Sequence, residues 1–176
     1  MLAIITGLLI MPEFERKTLD MLKVNQVSMG KLYFGKLLCS FIIILPVQLI
    51  LFLIFIIATK VDGITLDLSL QTYFKWLFLA VLASFPIITL QSYVTVKTRN
   101  FSKSVGLATI GSMFNFVLIF INEDLTKFFP YSQPMIALRS RSLADMSLND
   151  MIIFLAVNIF YSFVFYKFTV GALEKR

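Results

Sequence analysis

The chain has 176 residues, is 59% hydrophobic and only 15% charged, and its mean hydropathy is +0.87. A water-soluble domain of this size carries more surface charge. Here the apolar residues come in long runs with charges confined to short gaps, the pattern that lipid imposes. With no histidine the chain lacks the commonest general base and metal ligand, and its single cysteine excludes an internal disulfide.

Residues 1–12 form an apolar run too short to span a bilayer, with no basic start and no small-residue cleavage site. The run reads as the end of a helix whose beginning is missing, so the chain is expected to be an N-terminally shortened version of a longer protein. The alternative is a short interfacial segment. A charged stretch, residues 13–36, follows. Residues 37–59, 76–96 and 104–122 then contain no charge at all, and 151–173 contain only Lys167, which can snorkel to the interface. A bilayer core of roughly 30 Å needs about 20 apolar residues, so these four runs are predicted transmembrane helices. The fold class expected is all-α and integral to the membrane: a polytopic helical bundle of four full transmembrane helices plus a partial N-terminal one, treated as one domain over 1–176. Cys39 lies in the first of the four and reads as a small packing residue, with a redox or lipidation role as the alternative.

Charge sets the expected orientation. Residues 13–36, the loop with Lys97, Arg99 and Lys103, and the C-terminal Lys167, Lys175 and Arg176 hold eleven of the sixteen basic residues. The other side holds Lys60, Lys75, Lys127, Arg139 and Arg141, together with Asp62, Asp67, Glu123, Asp124, Asp145 and Asp150. By the positive-inside rule the first side is cytoplasmic, which predicts a multi-pass cell-membrane protein with a cytoplasmic C-terminus. Basic residues scattered along membrane-flanking loops do not support nucleic-acid binding.

The segment 13–36 is longer than a simple connection needs. A helix from Glu13 to Lys23 would put Phe14, Thr18, Met21 and Leu22 on one face and Arg16, Lys17, Asp20 and Lys23 on the other. Pro12 suits its start, Glu13 and Glu15 suit the positive end of its dipole, and Asn25 to Ser28 break the pattern before a second helix rises into the membrane. Such an amphipathic helix is either an interfacial anchor or a docking element for a soluble partner.

Polar residues inside the apolar runs are the candidate substrate-path residues: Gln48, Gln91, Ser112, Asn115 and Asn158. Ser104, Ala108, Ser112 and Asn115 form a small, polar stripe, which equally fits close helix packing. On the other side Phe128, Phe129, Pro130 and Tyr131 read as an interfacial aromatic belt or as an outer gate, the gate residues being Phe129, Pro130 and Tyr131. No predicted span has a charge at its centre, which argues against ion coupling and for a transporter powered elsewhere. There is no H-E-x-x-H, no G-x-S-x-G and no G-x-x-x-x-G-K-[ST], so the expectation is neither an enzyme nor an ATPase, and no metal site.

Several stretches together carry a resemblance: an apolar helix end, then E-R-K-T-L-x-x-L at residues 15–22, a polar break, G-K-L-x-x-x-K at 30–36, the basic loop and small-residue helix KTRNFSKSVGLATIGSMFN, and FPYSQP at 129–134. This order resembles the permease subunits of ABC-2-type transporters, most of all the branch of lantibiotic immunity and bacitracin-type resistance. The family pattern has six helices, and this chain lacks the first and most of the second. The resemblance implies an exporter of an antimicrobial peptide or amphipathic compound. In it two permease chains, as a homo- or heterodimer, pair with separate ATP-binding subunits. This chain would bind no cofactor, and ATP would sit on the partner. Glu15, Arg16, Lys17, Thr18 and Leu19 are the coupling positions so implied. The rival expectation is a non-transporting membrane module, or a permease remnant acting as a partner or a sequestering immunity protein.

Overall fold

A computed structural model describes residues 1–15, 18–63, 69–139 and 146–175. Among these residues the secondary structure is all helical. A short apolar helix α1 (Leu2–Glu15) is followed by α2 (Thr18–Val24) and four long helices, α3 (Met29–Val61), α4 (Leu70–Thr98), α5 (Phe101–Ile121) and α8 (Leu148–Glu174). Between α5 and α8 the chain makes α6 (Glu123–Thr126), one 3-10 turn (Pro130–Ser132) and α7 (Gln133–Ala137). The four long helices are each long and apolar enough to cross a membrane.

Helix α4 is the axis of the bundle. In its apolar window 61% is buried, against 6% for α3, 11% for α5 and 17% for α8. The cause is its side chains. Ala80, Ala83 and Ser84 are small enough for close approach, and Gln91, Ser92 and Thr95 are polar and avoid lipid by facing neighbouring helices. Ser84, Ser92 and Thr95 lie within hydrogen-bonding distance of the carbonyl one turn back, which satisfies their hydroxyls within α4.

Ring and side-chain contacts give the directions. Phe41 stacks on Phe85, and Phe52 lies against Phe74, so α3 runs antiparallel to α4. Tyr93 meets Phe165 and Phe168 while Ala80 and Phe154 share a cluster, so α8 runs parallel to α4. The α4–α5 connection is only Arg99 and Asn100. Arg99 adopts a left-handed conformation, and the Asn100 side chain caps α5 by accepting from Lys103 N at 2.9 Å.

The helix expected to start at Pro12 is not there. Pro12 lies inside α1, and Glu13 belongs to the last turn of α1. Lys36 of α3 forms an ion pair with Glu13 at 2.8 Å and also donates to the Leu9 carbonyl, which clamps the end of α1 against α3. The helix that follows is the shorter α2. Its inner face is Leu19 and Leu22, packed with Ile10, Met29, Tyr33 and Leu173. Met21, expected beside Leu22 on the apolar face, points outward instead. Helix α3 begins at Met29 and is 33 residues long, about 50 Å, so its first turns rise from the level of α2 before any bilayer is reached. Cys39, read as a packing residue, is exposed on α3.

Candidate functional site

Two clusters stand out, one entering the bundle from the end away from α2 and the other around α2. At the far end from α2, the segment after α5 folds back between the long helices and is held there by neutral polar side chains. Gln133, the first residue of α7, is fully buried. Its Oε1 accepts from Asn158 Nδ2 at 2.9 Å, and its Nε2 donates to the carbonyls of Lys127 and Phe129 at 2.8 and 3.2 Å. It therefore ties α8 to the fold-back and holds the fold-back to itself. Asn158 Nδ2 also donates to the Phe154 carbonyl at 2.7 Å, while its Oδ1 is buried without a partner among the described residues.

The neighbouring residues extend this seam. Ser132 donates to Asn115 Oδ1 on α5, and Gln91 Nε2 on α4 donates to the Tyr131 hydroxyl. Gln91 Oε1 accepts from Ser104 at 2.8 Å, and Thr95 Oγ1 lies 2.8 Å from both Ser104 Oγ and the Gln91 carbonyl. The Tyr131 ring lies on Gly111. A Cβ there would come within 2.5 Å of Tyr131 Cε2, so glycine is needed for the approach. Burial pushes the Tyr131 phenol up to about 12, which keeps it neutral. Phe129 packs edge-on against Phe114 and lies 5.6 Å from Tyr131, and Pro130 is buried. At the rim Lys127 bridges Asp124 at 2.9 Å and Asp150 at 3.2 Å, and these two carboxylates hold its ammonium above the usual lysine range.

Of the five residues expected on a substrate path, the structure brings Gln91, Asn115 and Asn158 to one seam, all three facing the fold-back that carries Phe129, Pro130 and Tyr131. Ser112 is exposed on the outer side of α5, and the stripe that faces inward is Ser104, Ala108, Gly111 and Asn115. Gln48 lies elsewhere, in a cavity between α3 and α4. Gln133 was not among the expected site residues. The signal for it is a long amide flanked by Pro130 and Pro134, a turn that carries a polar side chain back into apolar surroundings.

The second cluster surrounds α2. Asp20, Lys23, Glu13 and Arg99 line a pocket with Phe14, Leu19 and Leu173. The Arg99 guanidinium lies 5.6 Å from the Phe14 ring centre, and Lys23 donates to the Glu174 carbonyl at 3.2 Å, so the end of α8 shares this end of the bundle. Leu19, an expected coupling position, is 8% exposed and anchors α2 inward. Thr18 is half-buried with its hydroxyl 3.4 Å from the Glu13 carbonyl. The outward face is Asp20, Met21 (65% exposed) and Val24 (81% exposed). The Glu15 side chain, Arg16 and Lys17 lie outside the described residues.

The seam is built of amides and hydroxyls without an ionised group. Such a set can exchange its hydrogen bonds for water or a polar ligand, but it has no acid or base of ordinary strength with which to move a proton. No group of three metal-ligating side chains occurs among the described residues.

Residues 1–115 match the family described as ABC-2 family transporter protein. The match covers well over half of the chain, and it includes α1, α2, α3, α4 and most of α5. The chain belongs to the ABC-2 transporter family and is a multi-pass membrane permease of the ABC type. No curated protein and no solved structure gives a match.

Proposed function

We propose that this permease is the membrane subunit of an ATP-driven exporter of amphipathic antimicrobial peptides or similar compounds, serving immunity or resistance. It works with a separate cytoplasmic ATP-binding subunit and dimerises with another permease chain. It binds no cofactor itself, since ATP sits on the partner. The end of the bundle that carries α2 and the C-terminus faces the cytoplasm.

The observation that carries this reading is the pairing of a cluster around α2 with a fold-back that enters the bundle from its other end. Helix α2 turns Met21 and Val24 outward although both are apolar, and an apolar surface beside charged residues is what a soluble partner covers. At the other end the fold-back with Phe129, Pro130 and Tyr131 closes the seam between α4, α5 and α8 as an outer gate. Helices α4 and α8 touch both clusters, so a push on α2 reaches the gate through two rigid elements. The ATP-binding subunit needs only differential contacts with α2 in its two nucleotide states to bias the gate. Glu15, Arg16, Lys17 and Thr18 extend the contact, while Leu19 transmits it into the core. The neutral, largely apolar interior suits an amphipathic substrate better than an ion.

The test is co-purification from membranes with the ATP-binding chain encoded nearest to this one. The intact chain is expected to bring the ATPase down, and the variant Met21→Asp/Val24→Asp is expected to lose it while keeping its own elution volume. If the intact chain fails to bind that ATPase, the chain acts instead as a membrane module without this partner.

A further inference from the structure

An aromatic cavity between α3 and α4 lies beside the seam and shares Arg139 with its rim. Gln48, Leu51, Phe52 and Phe55 come from one face of α3, and Tyr73, Trp76 and Leu77 come from the facing side of α4. Leu138 and Arg139, just after α7, complete it, and its volume is about 400 Å³. That lies in the range of small-molecule sites, as does the composition: apolar and aromatic walls with a few polar groups. From Gln48 to Phe55 the cavity follows α3 for about 10 Å, so it is elongated along the helices.

Three features point to the occupant. The rim residues Leu51, Phe55 and Leu138 are exposed on the bundle surface, and the apolar window of α3 is 6% buried, so the cavity opens towards lipid. Arg139 also borders a smaller pocket with Lys127 and with Asp150 in the first turn of α8. That places Arg139 near the helix ends, where lipid headgroups lie. Finally, Trp76 is only 6% exposed. Trp76 therefore meets the cavity through only a small part of its ring, an aromatic wall that suits an acyl chain.

We propose that this cavity binds one membrane phospholipid, an acyl chain lying between α3 and α4 and its phosphate oxygens meeting Arg139. Arginine offers a planar fork of donors that suits phosphate. The site is independent of the transport reading, because it concerns this chain alone in a membrane.

Trp76 is the chain's single tryptophan and reports on the cavity directly. The purified chain in a nonionic detergent is titrated with a phospholipid brominated in its acyl chains, and separately with the matching brominated diacylglycerol, following Trp76 emission. Saturable quenching by the phospholipid is expected, with a half-point about fivefold below that of the diacylglycerol, the scale of one arginine at an anionic surface. Arg139→Gln should raise the phospholipid half-point to the diacylglycerol value, Arg139→Lys should keep most of the preference, and Leu77→Phe, which fills the cavity, should weaken quenching by both. The assignment is overturned by absent quenching, by quenching that rises linearly and equally for both lipids, or by an Arg139→Gln variant that behaves as wild type. It is also overturned if Trp76 becomes quenchable only on dilution below a dimerisation threshold, since a second copy would then fill the cavity.

Discussion

Replacing Gln133 with leucine tests the seam most sharply. Leucine is one atom shorter but of similar volume, so most of the loss is in hydrogen bonding. Three bonds vanish: the one from Asn158 at 2.9 Å and those to the Lys127 and Phe129 carbonyls at 2.8 and 3.2 Å. Side-chain hydrogen bonds within membrane bundles contribute about 0.6 kcal/mol on average and ~1.7 kcal/mol at most, so the three together contribute roughly 2–5 kcal/mol. At ~2–4 °C per kcal/mol for a chain of this size, the midpoint of thermal unfolding in detergent should fall by roughly 4–20 °C. Asn158→Leu in the same background should add less than it does alone, because its main partner is already gone and its unpartnered Oδ1 goes with it. A Gln133→Leu chain that melts with the wild type, or a double variant with strictly additive losses, would refute the reasoning that Gln133 holds the fold-back in place.

Other outcomes follow from the same contacts. Gly111→Ala puts a methyl into the Tyr131 ring, and the overpacking should cost about 1–3 kcal/mol and expose Tyr131, read as faster chemical modification of that phenol. Leu19→Asp should destabilise the chain, because it buries a charge among Ile10, Met29 and Leu173, whereas Met21→Asp on the outward face should leave the melting temperature within about 1 °C. Lys127 is held above its ordinary range by Asp124 and Asp150, so its contribution to stability is full below the ordinary lysine value and is lost as pH rises through the higher folded-state value. Lys127→Met should therefore flatten the fall in stability on the alkaline side.

The membrane spans were legible because lipid tolerates charge so poorly that uncharged runs announce themselves, and the charge-free runs 37–59, 76–96 and 104–122 lie inside α3, α4 and, but for Asn122, α5. The start of α3 was legible as well, since Asn25 to Ser28 read as the break before a helix rising into the membrane; the clamp of Lys36 on Glu13, a contact between distant residues, was not. Pro12 read as a helix start because nothing local distinguishes a proline that opens a helix from one carried inside it. The phase of α5 was misread for a similar reason. Spacings of four, four and three through Ser112, and of four, three and four through Gly111, both fit a helical period. The choice between them is made by Tyr131, twenty residues away, whose ring needs the glycine. Gln91, Asn115 and Asn158 were visible as polar residues in apolar runs, but their common partner, the fold-back, had no signature beyond its prolines.

The central claim is that α2 is where an ATP-binding subunit grips this permease. A photo-crosslinking residue placed at Met21 in the complex, with a control at the exposed Phe120 on α5, measures this in native membranes. The account predicts a crosslink to the ATP-binding subunit from position 21 and none from position 120, with a yield that changes when ATP and vanadate trap the subunit. Equal labelling from both positions, or none from position 21 in a complex that still hydrolyses ATP, would contradict it.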